Sequence, residues 1–198
     1  MQAAKAGKIY NGGCNEDVVR TSVLGHRIEI FFDTEIGLPD EHREEIHAIR
    51  SAGPDDCVIL YINTPGGVLT TTQSIINALH MTQAETVAII EGQVASAGTM
   101  IACSAQSVQV MPHAQFMIHS AAVGMGGELR NVAHAMEFQK DAIERLMRDV
   151  YRDFLTEEEF ESVFDGRELW LTDDEVVSRF KARAEKWNAE RKQEQSTD

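Results

Sequence analysis

The segment Cys57-Val58-Ile59-Leu60-Tyr61-Ile62 is apolar without a break, and this feature constrains the fold more than any other. A strand with one wet face alternates apolar and polar residues, whereas an unbroken run is expected of a strand buried on both faces of a parallel sheet. Parallel strands cannot be joined by a tight turn; each pair needs a crossover, usually a helix. The sequence downstream supplies one. Asn63-Thr64-Pro65-Gly66-Gly67 reads as a turn, and a helical pattern through about Met81 places Ile75, Ile76 and Leu79 inward. Thr86-Val87-Ala88-Ile89-Ile90 then reads as the next buried strand. Val108–Met111 and Gln115–Ile118 read as further strands. Strand and helix thus alternate at short spacing, the pattern of right-handed βαβ crossovers in an α/β domain.

The flanks are less regular. Residues 1–20 read as a flexible N-terminal arm, Arg27–Phe32 as a strand, and Asp40–Arg50 as a helix capped by Asp40 with Ile46 and Ile49 inward. Gly124-Met125-Gly126-Gly127 marks a flexible break. From Glu128 to about Phe154 runs a long helical pattern with an apolar stripe of Leu129, Val132, Met136, Ile143, Leu146, Met147 and Val150. A helix that long in a domain of this size is expected to project or to dock onto a neighbour. Thr156-Glu157-Glu158-Glu159 reads as a capping box, and Thr172 as the cap of the last helix. Residues 181–198 are charged and apolar-poor, and they predict an exposed helix fraying into a tail.

The 198 residues are enough for one domain with a substantial core. With 18 Lys and Arg against 32 Asp and Glu, the net charge is −14, which argues against a nucleic-acid footprint. Cys14, Cys57 and Cys103 are scattered without metal-ligand spacing, so reduced thiols are expected, with no metal and no cofactor. No apolar stretch could span a bilayer, and no apolar region follows the basic residues at the start as a secretory signal would require. A cytoplasmic location follows as an expectation.

Chemistry concentrates in Glu91-Gly92-Gln93-Val94-Ala95-Ser96-Ala97-Gly98. A serine on a tight strand-to-helix turn has an open hydroxyl, and the first N–H groups of the helix beside it can stabilise an oxyanion. The competing reading of Ser96 is a helix N-cap. A nucleophile needs a base, and His119, which closes the apolar strand Gln115–Ile118, stands where ligands bind in open α/β sheets. His26, His42, His47 and His134 sit in polar or helical surroundings where solvent exposure is the simpler reading; neither His80 nor His113 ends an apolar strand. Gly66-Gly67 could bring a backbone N–H close to a ligand. For the acid, both Asp165 and Glu168 precede the apolar pair Leu169-Trp170 closely enough to reach an imidazole.

Taken together, Tyr61-Ile62-Asn63-Thr64-Pro65-Gly66-Gly67, Gly92-Gln93-Val94-Ala95-Ser96-Ala97-Gly98 and Met117-Ile118-His119 occur in the order and spacing of the Clp protease proteolytic subunit (ClpP) family. The chain resembles a phage- or prophage-type member over about residues 20–178. The resemblance implies an α/β fold of crotonase type, with stacked βαβ units in a domain over 21–180 and a protruding handle at about 121–154. It implies Ser96 as nucleophile, His119 as general base, and the N–H groups of Gly67 and Ala97 as the oxyanion hole. Substrate peptide would add as a strand along Gly66, Val68, Gly124, Met125 and Gly126. The family's acid precedes an aromatic-Leu-Ser/Thr stretch; Trp170-Leu171-Thr172 matches it and puts Glu168 in that role, with Asp165 as the alternative.

The resemblance further implies serine endopeptidase activity in two stacked seven-membered rings, with a AAA+ unfoldase as a possible partner. Three features depart from the family. The Gly-Leu-Val/Ile-Asp strand after the last helix is replaced by Val176-Val177-Ser178-Arg179-Phe180. Ile59 stands where an aromatic residue is expected for docking an unfoldase, and the N-terminal arm differs. Two rival readings share the scaffold: a catalytically silent ring-forming assembly protein, and another enzyme of the fold. Of the latter, an acyl-CoA enzyme of the crotonase type is one form. A Ser–Lys protease is disfavoured because no lysine lies between Lys8 and Lys140.

Overall fold

The structure is a computed structural model and describes residues 8–11, 25–122, 124 and 126–195. Strands β2 (Arg27–Phe32), β3 (Cys57–Thr64), β4 (Glu85–Ala95) and β5 (Ser107–Val110) are parallel neighbours in that order. Helix α1 (Arg43–Ser51) joins β2 to β3, α2 (Leu69–Met81) joins β3 to β4, and α3 (Ala97–Ser104) joins β4 to β5. The fold is the expected α/β arrangement of βαβ units. Aliphatic residues line the sheet core, with Val58, Leu60, Ile62, Ile75, Ala88, Ile90, Val94 and Ile101 fully buried.

Strand β4 is eleven residues long because it serves two partners in succession. Its first half, Val87–Ile90, pairs with β5, and its second half, Gln93–Ala95, pairs with β6 (Gln115–Ile118). Gly92, with φ of 60°, lies between the two halves. Strand β7 (Leu169–Thr172) then adds antiparallel to β6. The sheet therefore forks, and the ends of β3, β4, β6 and β7 come together in one place.

Several expectations are corrected. Strand β3 is not buried on both faces: Val58, Leu60 and Ile62 are covered, but Cys57, Ile59 and Tyr61 are half-buried. On that half-covered face Phe31 stacks on Tyr61 with ring centres 4.8 Å apart and stays 58% exposed. Helix α1 begins at Arg43 rather than after Asp40, and His42 at its N-cap position makes no side-chain cap. His42 is instead half-buried, its Nε2 accepting from the Gly37 N–H at 3.1 Å. Within the expected N-terminal arm, Lys8–Asn11 forms strand β1, antiparallel to β5; residues 1–7 and 12–20 lie outside the described residues.

The long helix α4 (Leu129–Val150) follows the exposed segment 126–128. Ile143, Met147 and Val150 are buried, Val132 and Leu146 are half-buried, and Met136 is 48% exposed, so the stripe is covered only toward its C-terminal end. Helix α5 (Glu157–Phe164) opens with the expected capping box between Thr156 and Glu159. Helix α6 (Asp173–Gln195) runs through the expected boundary at Lys181 without a break. Arg183 is buried there: its Nη1 donates to the Cys103 carbonyl at 3.1 Å, and its guanidinium lies 4.1 Å from the Trp187 ring centre. The aliphatic stem and the stacked ring let a cation sit inside.

Candidate active site

Ser96 joins β4 to α3 with φ 52° and ψ −118°, a backbone region that glycine enters freely and that costs other residues about 1–3 kcal/mol. The surroundings over-determine it. Its N–H donates to the Met117 carbonyl at 2.8 Å, and its carbonyl accepts from the Thr99 N–H at 3.0 Å and the Thr99 hydroxyl at 2.6 Å. The Ser96 side chain caps nothing, which removes the N-cap reading. Helix geometry leaves the first N–H groups of α3, on Ala97 and Gly98, without intrahelical partners.

Gly66 backs onto this turn. A Cβ built there would lie 2.7 Å from the Ser96 Cβ and 3.1 Å from the Ala97 nitrogen, and its φ is +103°. The Thr64 hydroxyl donates to the Thr34 carbonyl and accepts from the Gly66 N–H. The Ile36 N–H donates to the Gly66 carbonyl and the Val68 N–H to the Ile36 carbonyl, each at 2.8 Å. In this one-residue parallel bridge between Ile36 and Gly67, the N–H and C=O of Gly67 itself point away from Ile36. Gly67 is exposed, and Val68, just before α2, is half-buried.

His119 directly follows β6. The β4–β6 register ends at the pair Ala95 and Met117, and the Ser96 N–H on the carbonyl of Met117, two residues before His119, holds the Ser96 turn beside the end of β6. The β6–β7 register pairs Ile118 with Leu169, and its continuation sets His119 opposite Glu168. Three neighbouring strand ends thus carry Ser96, His119 and Glu168. Among the described residues His119 is half-buried and its ring has no hydrogen-bond partner. The exposed Glu168 carboxylate accepts from the Trp170 indole N–H at 2.9 Å. Asp165 is the C-cap of α5, also exposed. Gly124 and Gly126 are exposed in the segment between β6 and α4, whereas Met125 lies outside the described residues.

A cavity of about 390 Å³ borders Glu168 on its α5 side, lined also by Glu158, Ser162, Arg167 and Leu169; neither Ser96 nor His119 lines it. Among the described residues no group of three or more His, Cys, Asp or Glu could hold a metal ion, and no helix is long and apolar enough to cross a membrane. Sequence reasoning missed the residues that fix the turn, Ile36, Thr64, Thr99 and Tyr151. No local signal marks the polar pair in the sequence: Thr99 and Tyr151 stand out by their burial, 0% and 2% exposed, which only the fold reveals.

Residues 16–178 match the Clp protease family. The chain is 26% identical over 198 residues to the ATP-dependent Clp protease proteolytic subunit 1 of Streptomyces coelicolor, covering 90% of this chain and 87% of the relative. It is 29% identical over 103 residues to the ATP-dependent Clp protease proteolytic subunit of Streptococcus suis, with 48% of this chain and 53% of the relative covered. The corresponding subunit of Streptococcus pyogenes serotype M5 is 32% identical over 97 residues, covering 48% and 47%. Against these streptococcal relatives the chain spans about half of their length.

Proposed function

Because the chain belongs to the Clp protease family, we propose that it is a serine endopeptidase that cleaves peptides and unfolded chains through an acyl-enzyme. The observation that carries this reading is the Ser96 turn: a strained, pinned backbone presents a hydroxyl that caps nothing, beside the strand end that carries His119. His119 takes the Ser96 proton as Oγ attacks the peptide carbonyl, and the N–H groups of Gly67 and Ala97 receive the oxyanion. His119 then returns the proton to the leaving amine, and water hydrolyses the acyl-serine by the same route in reverse. Glu168 holds the imidazolium. To do so its carboxylate turns from the Trp170 indole to the ring opposite, a small rearrangement because both partners are exposed. No metal or cofactor takes part in this scheme.

Substrate lies extended between Gly66–Val68 and Gly124–Gly126, Met125 included, pairing its backbone with theirs. The catalytic domain is residues 21–180, and α4 is the handle by which chains meet in two stacked seven-membered rings in the cytoplasm. Enclosure of Ser96 would restrict access to small or unfolded chains. A AAA+ unfoldase is a possible partner. One observation favours the rival, a silent ring-forming protein: no hydrogen bond joins His119 to an acid among the described residues.

A fluorophosphonate probe separates the two. The proposal expects Ser96 to be labelled, with labelling abolished by Ser96→Ala and by His119→Ala. Glu168→Gln should lose most turnover while Asp165→Asn keeps it, and the reverse result assigns the acid to Asp165. An assembled wild-type protein that stays unlabelled across the pH range contradicts catalysis.

A further inference from the structure

The hydroxyl of Thr99 has one proton, and it goes to the Ser96 carbonyl at 2.6 Å. A carbonyl only accepts, so Thr99 is the donor there. The same Thr99 oxygen lies 2.6 Å from the Tyr151 hydroxyl, and with its own proton committed it must accept from Tyr151. The direction of the relay is therefore fixed: Tyr151 O–H to Thr99 Oγ1, Thr99 O–H to Ser96 C=O. Thr99 is 0% and Tyr151 2% exposed, so water does not compete for either bond. Burial also holds the Tyr151 phenol far above its ordinary pKa, which keeps the proton on it.

The two ends of the relay belong to different parts of the molecule. Ser96 is the strained residue of the β4–α3 turn. Tyr151 is the C-cap of α4, its N–H donating to the Met147 carbonyl. A backbone as unfavourable as that of Ser96 persists only where its surroundings over-determine it, and a buried hydrogen bond strengthened by its neighbour is a firm constraint. Resting on the reading of Ser96 as nucleophile, we propose that Tyr151 and Thr99 are positioning residues that hold the Ser96 peptide in its reactive conformation from the end of α4. The long exposed helix and the serine are then mechanically linked. A displacement of the C-terminal turn of α4 pulls on the Tyr151 hydroxyl and loosens the Ser96 carbonyl, so a partner that grips α4 acts on the nucleophile without touching it.

Two measurements on the full chain test this with Thr99→Val, Thr99→Ser and Tyr151→Phe. Thr99→Val removes the hydroxyl at nearly constant shape, Tyr151→Phe removes only the distal donor, and Thr99→Ser keeps the relay. The first measurement is the rate of fluorophosphonate labelling at Ser96; the second is amide hydrogen exchange over residues 94–101, alongside the thermal midpoint. The relay predicts labelling slowed tenfold or more in Thr99→Val and Tyr151→Phe, with recovery in Thr99→Ser. Exchange over 94–101 should quicken in the same two variants and in no other buried segment. Unlabelled wild-type protein would sink the protease reading alone, since the exchange arm still decides the relay. Exchange that is the same in all four proteins overturns the relay whatever the labelling shows. Quickened exchange with unchanged labelling overturns the positioning role. If Tyr151→Phe fails to fold, the contrast between Thr99→Val and Thr99→Ser decides between these outcomes.

Discussion

At the scale of single residues, the candidate site depends on backbone that side chains do not tolerate. Gly66 has a φ of +103°, and a Cβ there would sit 2.7 Å from the Ser96 Cβ and 2.9 Å from the Ala95 carbonyl oxygen. Gly66→Ala therefore has to move the Ser96 turn or distort its own. It should destabilise the fold by about 1–3 kcal/mol and slow labelling of Ser96 more than that loss explains. Gly53→Ala is the control, because a Cβ there meets only the Asp56 carboxylate at 3.6 Å. Denaturant unfolding and labelling rates on the two variants check this; equal behaviour would mean that the turn yields freely. The glycine pair and Ser96 were legible in the sequence because glycine and a small-residue helix start leave local marks. The roles of Thr99 and Tyr151 were not, because they lie 52 residues apart and only the packing of α4 against α3 brings them together.

Between elements, a bidentate ion pair joins α5 to α6. Arg179 of α6 donates to both carboxylate oxygens of Glu159, at 2.5 and 2.8 Å, and to the Phe154 carbonyl at 3.0 Å. Glu159 also closes the capping box with the Thr156 N–H. The Arg179 guanidinium foremost, with the backbone bond from Thr156, lowers the Glu159 pKa from 4.5 to about 2. A carboxyl depressed on folding contributes stability that is complete above its unfolded pKa and is lost as pH falls toward the folded one. The contribution is thus present at pH 7 and disappears between about pH 4.5 and 2. Glu159→Gln keeps an acceptor for the capping box and removes the charge. Allowing for solvent screening, it should cost about 1 kcal/mol at pH 7, and the gap from wild type should close as pH approaches 2. A gap that holds constant to low pH would show that charge is not what Arg179 reads. This join was half legible. The capping box is a local pattern, but a sequence that reads as charged and apolar-poor from Lys181 on conceals that Arg183 is buried and that α6 continues unbroken. The fork of β4 was equally hidden, since pairing with β5 first and β6 second depends on the twist of the sheet and not on the residues of β4 alone.

Over the whole molecule, two properties oppose each other. The chain carries −14 net charge, so copies repel. Yet the N-terminal half of α4 leaves Met136 48% and Phe138 65% exposed, and the two lie on different sides of the helix. Met136 continues the line of Val132, Ile143, Met147 and Val150, so the stripe that packs inside at one end of α4 runs on uncovered at the other. A second copy covering that stripe in the proposed rings would bury Met136, with the apolar gain set against charge repulsion. Salt screens the repulsion, with a Debye length of about 10 Å at 0.1 M, and leaves apolar burial in place. Assembly should therefore strengthen as ionic strength rises, the opposite of an interface held by ion pairs. Analytical ultracentrifugation at micromolar concentration should find large particles whose share grows between about 0.05 and 0.5 M salt. Met136→Glu adds charge to the stripe and should shift the distribution toward single chains at every salt concentration. Folding of that variant is checked by its thermal midpoint, which should stay near wild type because the residue makes little contact within its own chain. A wild-type protein that sediments as a monomer throughout contradicts the ring. A Met136→Glu variant that assembles like wild type moves the interface off α4, and with it the route by which assembly could reach Ser96 through Tyr151.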